Sequence, residues 1–369
     1  RHMTTYSNHA RRWRPPPCPN HTCPFHHAPT GWRFRRAGFF QRLNPPHRVQ
    51  RFQCRHCRRS FSRQTFRPTY WQKRPELTRT IFNLTTGGMA NRQIARALEC
   101  APSTVDTIVS RLGRHCLLFH RHLTRNMSPP GDVVADGLVS FEFSQFFPFE
   151  HEIAVCGDSS FILHFTDAPL RRTGRMTAAQ KRRRAELEGL LGRPDPKAVE
   201  KAMREVFEVA LAGAKRVILR TDKHAAYRRS LNRIRGEIEH RRTDSRRRRD
   251  RTNELFEVNS LDRFLRHSSA NHTRETLAWS KRRQGSAERL AIFTVWKNCV
   301  KRRWELGRHQ TPAMIKGLLE RPLRAVDILR ERLFPSRVEL PARWRQYYWR
   351  LVQTPVLGVN RRHELIYAR

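Results

Sequence analysis

The sequence predicts a multidomain α/β chain. It reads as a zinc ribbon and a helix-turn-helix at the N-terminal end, then a mixed sheet flanked by helices, then a helical C-terminal tail. Three observations predict this. Two close cysteine pairs, Cys18/Cys23 and Cys54/Cys57, sit in turn-rich, Arg-rich surroundings. Helical periodicity with short turns fills residues 75–116. Two apolar runs each end in a carboxylate, Val133-Val134-Ala135-Asp136 and Val217-Ile218-Leu219-Arg220-Thr221-Asp222. Each of those runs reads as a buried strand delivering an acid at its C-terminal end.

Charge narrows the partner. Lys and Arg number 74 against 32 Asp and Glu, a formal charge of +42 over 369 residues. Such a chain repels itself unless a polyanion neutralises it, so nucleic acid is the expected partner. No apolar run approaches the ~20 residues of a spanning helix, and no signal-peptide pattern opens the chain. A cytoplasmic, nucleoid-associated protein without a membrane partner is expected. Cys100, Cys116, Cys156 and Cys299 are scattered among apolar neighbours and read as small core residues.

Residues 1–17 are a basic arm ending in prolines. Residues 18–66 form the ribbon. Tetrahedral zinc wants four soft ligands, which Cys18, Cys23, Cys54 and Cys57 supply. The first knuckle is looser than usual, so His21, His26 or His27 is the alternative to one cysteine. Residues 67–127 are the helix-turn-helix domain. One helix spans 75–85, a second 91–99, and a third, 104–114, is capped by Ser103 with Asp106 in a capping box. On that third helix Ser103, Thr104, Asp106, Thr107, Ser110 and Arg111 are candidates to reach DNA bases or phosphates. A plain three-helix bundle is the alternative. Residues 117–131 read as a linker.

Residues 128–305 are the sheet domain. After Asp136 come strands at 151–156 and 161–166, split by a turn. A helical stretch follows, with an insertion about 168–215 that carries Lys181, Arg182, Arg183 and Arg184. This stretch is the crossover to the strand ending in Asp222. A right-handed crossover lays its two strands side by side. That puts Asp136 and Asp222 on the edge where open sheets bind ligands, and two carboxylates there can share Mg²⁺ ions that grip phosphate oxygens. A fifth strand is expected at 237–240, and Arg246, Arg247, Arg248 and Arg249 form a basic loop for phosphate. A helix at 256–266 packs Val258, Leu261 and Leu265 on the sheet, with Asn259, Asp262 and Arg266 close together on it. Residues 306–369 read as helical, with Trp344, Tyr347, Tyr348 and Trp349 clustered for core packing or a protein contact.

Over roughly residues 18–303 this layout resembles the insertion-sequence-one family of bacterial transposases. The resemblance rests on the paired cysteines, Gln50-Arg51-Phe52, Ser60-Phe61, the helix-turn-helix and the strand ending in Asp136. It extends to Thr221-Asp222 with Tyr227, and to Arg274-Glu275-Thr276-Leu277-Ala278-Trp279-Ser280-Lys281. It implies a ribonuclease-H-like catalytic domain whose Asp-Asp-Glu triad holds two Mg²⁺ ions, with zinc in the ribbon. It also implies double-stranded DNA partners, namely terminal inverted repeats and target DNA, and a homodimer or higher assembly. Asp136 and Asp222 carry over directly. The family's third acid lies in an Ile-Glu-Arg motif, for which Leu261-Asp262-Arg263 is the nearest equivalent here. Counting back from Arg266 and Arg274 instead gives Asn259, which carries no charge. Asp262 therefore ranks first as third acid, Glu288 second and Glu275 third. The alternatives are a DNA-binding protein with an inactive nuclease-like domain, or a structure-specific DNA nuclease.

Overall fold

The structure is a computed structural model and describes residues 17–43, 45–273, 276–305, 307, 309–362, 365 and 367. The basic arm before Pro17, and Arg274 and Glu275, lie outside the described residues.

The ribbon begins with a one-turn helix α1 (Pro24–His27). Its antiparallel sheet runs β1 (Phe34–Gln41), β2 (Arg48–Cys54) and β3 (Ser60–Ser62), in that order. Aromatic rings, not aliphatic bulk, fill its small core. Phe61 and Phe66 are buried beside three of the cysteines, with Trp32, Phe34 and Phe52 packed around them.

Three helices follow: α2 (Leu77–Thr86), α3 (Asn91–Ala97) and α4 (Pro102–Thr124). The first two fall where the periodicity puts them. The third corrects the expectation twice. It starts at Pro102, with Ala101 as its cap in place of Ser103, because proline's fixed φ suits a first helical position. It also runs through Thr124, so much of the expected linker is helix. Leu117, Leu118 and His120 are buried there, and their packing holds the extra turns.

The large sheet contains β4 (Asp132–Phe141), β5 (Pro148–Cys156), β6 (Ile162–Phe165) and the short β7 (Ala168–Pro169). The crossover then passes through α5 (Ala178–Leu191) and α6 (Ala198–Ala210) to β8 (Arg216–Asp222). It continues through α7 (Ala225–Ser230) to β9 (Glu237–Thr243). Strand order is β6-β5-β4-β8-β9, with β7 on β5. The β4–β5 and β5–β6 pairs are antiparallel, and the β4–β8 and β8–β9 pairs are parallel. The crossover therefore seats β8 directly beside β4, as expected. Within it α6 buries Met203, Val206 and Phe207, whereas α5 buries nothing.

Two helices close the other face: α8 (Phe256–Ser268), on β4 and β5, and α9 (Arg283–Cys299), along α4. The approach of α9 to α4 is close. A Cβ on Gly113 would lie 2.7 Å from the Cα of Glu288, so only glycine fits without a shift.

The C-terminal region is less helical than expected. It holds α10 (Pro312–Ile315), α11 (Ala325–Ile328) and α12 (Ala342–Tyr348), joined by irregular chain. Prolines at 312, 322, 335, 341 and 355 interrupt any longer helix. This region straps the molecule together. Phe334 completes the ribbon core, and the backbone N–H of Arg332 donates to the Phe66 carbonyl at 2.9 Å. Further on, Trp344 is buried and donates to the Phe165 carbonyl at 2.8 Å. Buried residues of α2, α3, α4, the large sheet, α9 and α12 belong to one continuous core.

Candidate active site and metal centre

The ribbon knuckles are tight turns. The N–H of Cys23 bonds the Asn20 carbonyl at 2.9 Å, and that of Arg58 bonds the Cys54 carbonyl at 3.1 Å with Arg58 at φ 62°. They bring the sulfurs of Cys18, Cys23, Cys54 and Cys57 within 4.8 Å of one another. Four soft donors at that spacing fit a tetrahedral ion such as zinc. Burial raises the pKa of Cys54, but hydrogen bonds from Trp32 and from the backbone of Cys57 and His56 outweigh it and hold the thiol near 7. Of the alternative histidine ligands, His26 is engaged elsewhere. Its Nδ1 meets the Cys18 carbonyl at 2.6 Å and its Nε2 meets Ser336 Oγ at 2.7 Å, so both ring nitrogens are committed.

On the large sheet, β4 and β8 pair with Val134 opposite Arg220. Continuing that register two residues brings Asp136 level with Asp222. Asp222 ends its strand, as expected, and its Oδ1 accepts the His224 N–H at 2.7 Å. Asp136 does not end its strand. β4 runs five residues further, to Phe141, because β5 offers partners for all of them.

Burial lifts the pKa of Asp136. The Gly137 N–H opposes that lift, and the charges of Asp222 and Glu150 reinforce it; with Arg249 nearby the value is about 6. Two glutamates that sequence reasoning missed stand close by, both on β5. Glu150 has its carboxylate 2.8 Å from where a Cβ on Gly137 would lie. Glu152 is fully buried and accepts from Tyr227 Oη at 3.3 Å. Burial, then Glu150, pushes Glu152 well above the usual carboxylate range. Glu150 and Glu152 pair with Val139 and Gly137, so they face the α6–α7 side of the sheet, and Asp136 faces the α8 side. Four carboxylates thus lie on the two faces of the sheet around Asp136, and among the described residues no three of them come close enough to share one ion. Their signal in the sequence is the pair of acids at alternate positions of an otherwise apolar strand, Phe149-Glu150-His151-Glu152-Ile153.

The remaining candidates separate. Asp262 is half-buried on α8, and Asn259 on the same flank is buried. Glu288 is buried in the α4–α9 contact, where it accepts from Ser110 Oγ at 3.0 Å and Gln284 Nε2 at 2.9 Å and pairs with Arg350 at 3.2 Å. Those partners belong to α4, α9 and the C-terminal region. Glu275 lies outside the described residues. On α4, Ser110 is buried and Arg111 bonds the Tyr70 carbonyl. Thr107 donates to the Ser103 carbonyl at 2.8 Å, and Asp106 accepts from Asn91 at 2.7 Å. Near the start of this helix Pro102, Ser103 and Asp106 are exposed and Thr104 is half-buried; His122 is exposed in its last turn. The helix is the centre of a core, which is why most of its polar residues turn inward. Arg246, Arg247, Arg248 and Arg249 are exposed in the loop after β9, near enough for Arg249 to act on Asp136.

No protein-family model matches the chain, and no curated protein matches it. Among solved structures the chain is similar to the catalytic domain of Mos1 mariner transposase. Identity is 12%, the match covers 52% of this chain and 90% of that one, and the TM-score is 0.19. A likeness this loose assigns no activity to this chain. No helix of the described residues is long and apolar enough to cross a membrane.

Proposed function

We propose that the protein is a DNA transposase that binds the terminal inverted repeats of an insertion sequence and cleaves and joins DNA at a ribonuclease-H-like sheet edge. One observation carries this reading: Asp136 and Asp222 sit on adjacent parallel strands, close enough for their charges to interact, and Arg249 of the 246–249 loop also acts on Asp136. The charge of +42 supports a polyanionic substrate. The strand order, three antiparallel strands followed by two parallel ones, supports the ribonuclease-H-like assignment.

The donor set fits a hard divalent cation. It is all oxygen, and burial together with its like charges raises the pKa of Asp136. Asp136 and Asp222, with Asp262 as third acid, would hold Mg²⁺, which would supply Lewis acidity and an activated nucleophile for in-line displacement at phosphorus. The protein's own residues do the rest. Arg246, Arg247, Arg248 and Arg249 hold the phosphates of the incoming strand. The first turn of α4, through Ser103 and Thr104, contacts the duplex, and the zinc-bound ribbon adds a second grip. Joining two element ends requires a homodimer or a larger assembly.

The test is cleavage and joining of labelled duplexes carrying the element's flanking ends in Mg²⁺. Asp136→Ala and Asp222→Ala should abolish both products and retain end binding. Products that persist in either variant would overturn the site. Tight binding by the wild type without cutting in Mg²⁺ or Mn²⁺ would leave a DNA-binding protein instead.

A further inference from the structure

No Asp or Glu precedes Glu76 in the sequence. The ribbon therefore carries positive charge with no acid to offset it, and its β1–β2 hairpin is built unevenly. At the cysteine end, Phe34 pairs with Cys54, and Phe34 and Phe52 pack into the ribbon core. At the far end apolar side chains have no core to enter. Phe39 is 50% exposed and Leu43, in the turn, is 96% exposed. Cations lie against both faces of this end. On one face the Arg48 guanidinium sits 4.0 Å from the Phe39 ring centre, and on the other Arg51 sits 5.9 Å from that of Phe40. A register shift between Arg36 and Phe39, with Gly38 at φ 74°, twists the hairpin just before this end.

Exposed large apolar groups in water are unfavourable, and here they recur within one short stretch. A surface that is apolar at its tip and cationic on its flanks matches a DNA groove, where base edges lie between two rows of phosphates. β-ribbon proteins place strands in the minor groove as well as the major groove, and apolar side chains inserted from the minor groove part a base step. We infer that the tip of the β1–β2 hairpin is a DNA wedge: Leu43 and Phe39 loosen a base step while Arg36, Arg48 and Arg51 hold the flanking phosphates. The inference rests on DNA being the partner but not on the chemistry at Asp136.

The test uses the full chain and a fluorescent duplex with 2-aminopurine at a flexible T-A step, titrated over a range of salt. Wild type should bind and raise the 2-aminopurine emission as the step unstacks. Leu43→Ser combined with Phe39→Ser should abolish that rise and weaken binding about tenfold, leaving the salt dependence unchanged. Arg36→Ala, Arg48→Ala and Arg51→Ala together should lower the slope of log affinity against log salt by roughly 3. A bound zinc in each variant, measured by metal analysis, confirms a folded ribbon. Wild-type affinity and emission in both zinc-loaded variants would overturn the wedge and leave the DNA reading intact. A wild type that binds no duplex at low salt would overturn both.

Discussion

The four-cysteine knuckle can hold a cation and the carboxylate edge is proposed to hold one, and the two are built in opposite ways. The cysteines come from two short turns, and their sulfurs already lie within 4.8 Å of one another. Three of them are buried, and aromatic rings and Phe334 seal them in. The carboxylates come from strands up to 86 residues apart in sequence, Asp136 to Asp222, and remain partly open. Burial and mutual repulsion raise the pKa of Asp136 to about 6. A closed thiol site stabilises its domain through the metal. An open acid edge stores unfavourable charge that a metal and a phosphate can relieve, at a cost in stability without them.

The largest expected effect separates the two directly. Chelation of the ribbon metal should remove on the order of 10 kcal/mol of local stabilisation. Hydrogen exchange should then reach the unprotected rate across residues 34–62, with strands 132–156 still protected. Loss of protection in both regions would mean that the ribbon metal also supports the sheet.

A smaller effect concerns a carboxylate that is satisfied. Asp167 is buried against Arg343, at 2.7 and 2.6 Å, Arg283, at 3.1 Å, and the hydroxyl of Tyr347. Burial raises its pKa, but these partners outweigh burial and hold it at about 2. Its charge therefore contributes stability above the ordinary value of 3.8, and that stability is lost as pH falls through about 2. Asp167→Asn should cost about 3–5 kcal/mol at pH 7 in denaturant unfolding, because it leaves Arg343 and Arg283 without their counter-charge. The gap to wild type should narrow in acid near pH 2.

Asp136 should behave in the opposite sense. Its folded pKa is raised from 3.8 to about 6, so its ionisation destabilises the fold increasingly as pH rises across that window. In the absence of divalent metal, Asp136→Asn should be more stable than wild type by roughly 2–3 kcal/mol above pH 6 and no different below pH 4. A destabilised Asn variant at pH 8 would show that Asp136 is a structural residue. The smallest effect is steric. Gly113→Ala should lower stability by about 1–2 kcal/mol at any pH, seen as a fall in Tm, because the helix contact at Glu288 is full.

The two sites were also unequally legible. Cys18, Cys23, Cys54 and Cys57 are readable because local spacing sets their geometry. Asp136 and Asp222 are readable because apolar runs mark buried strands and a crossover puts such strands side by side. Glu150 and Glu152 are not, because acids at alternate positions of a strand ordinarily mark its solvated face. The packing of α6 on β5 and of α7, with Tyr227 over Gly137, turns that face inward. The third helix outran its expected end because its partner, α9, lies more than 150 residues away in the sequence, and that contact buries the would-be linker. The same long-range packing turned Ser110 toward Glu288 and away from solvent. The C-terminal strap was equally hidden, since nothing local in Phe334 or Ser336 says that the ribbon lies beside them.

The most direct test of the two-site account is a count of Mn²⁺ ions bound, by electron paramagnetic resonance, on zinc-loaded protein with duplex DNA present. Wild type should take up Mn²⁺ with its zinc retained. Asp136→Asn and Asp222→Asn should each lose that Mn²⁺ and keep the zinc and the DNA. Unchanged Mn²⁺ binding in both variants would contradict the account.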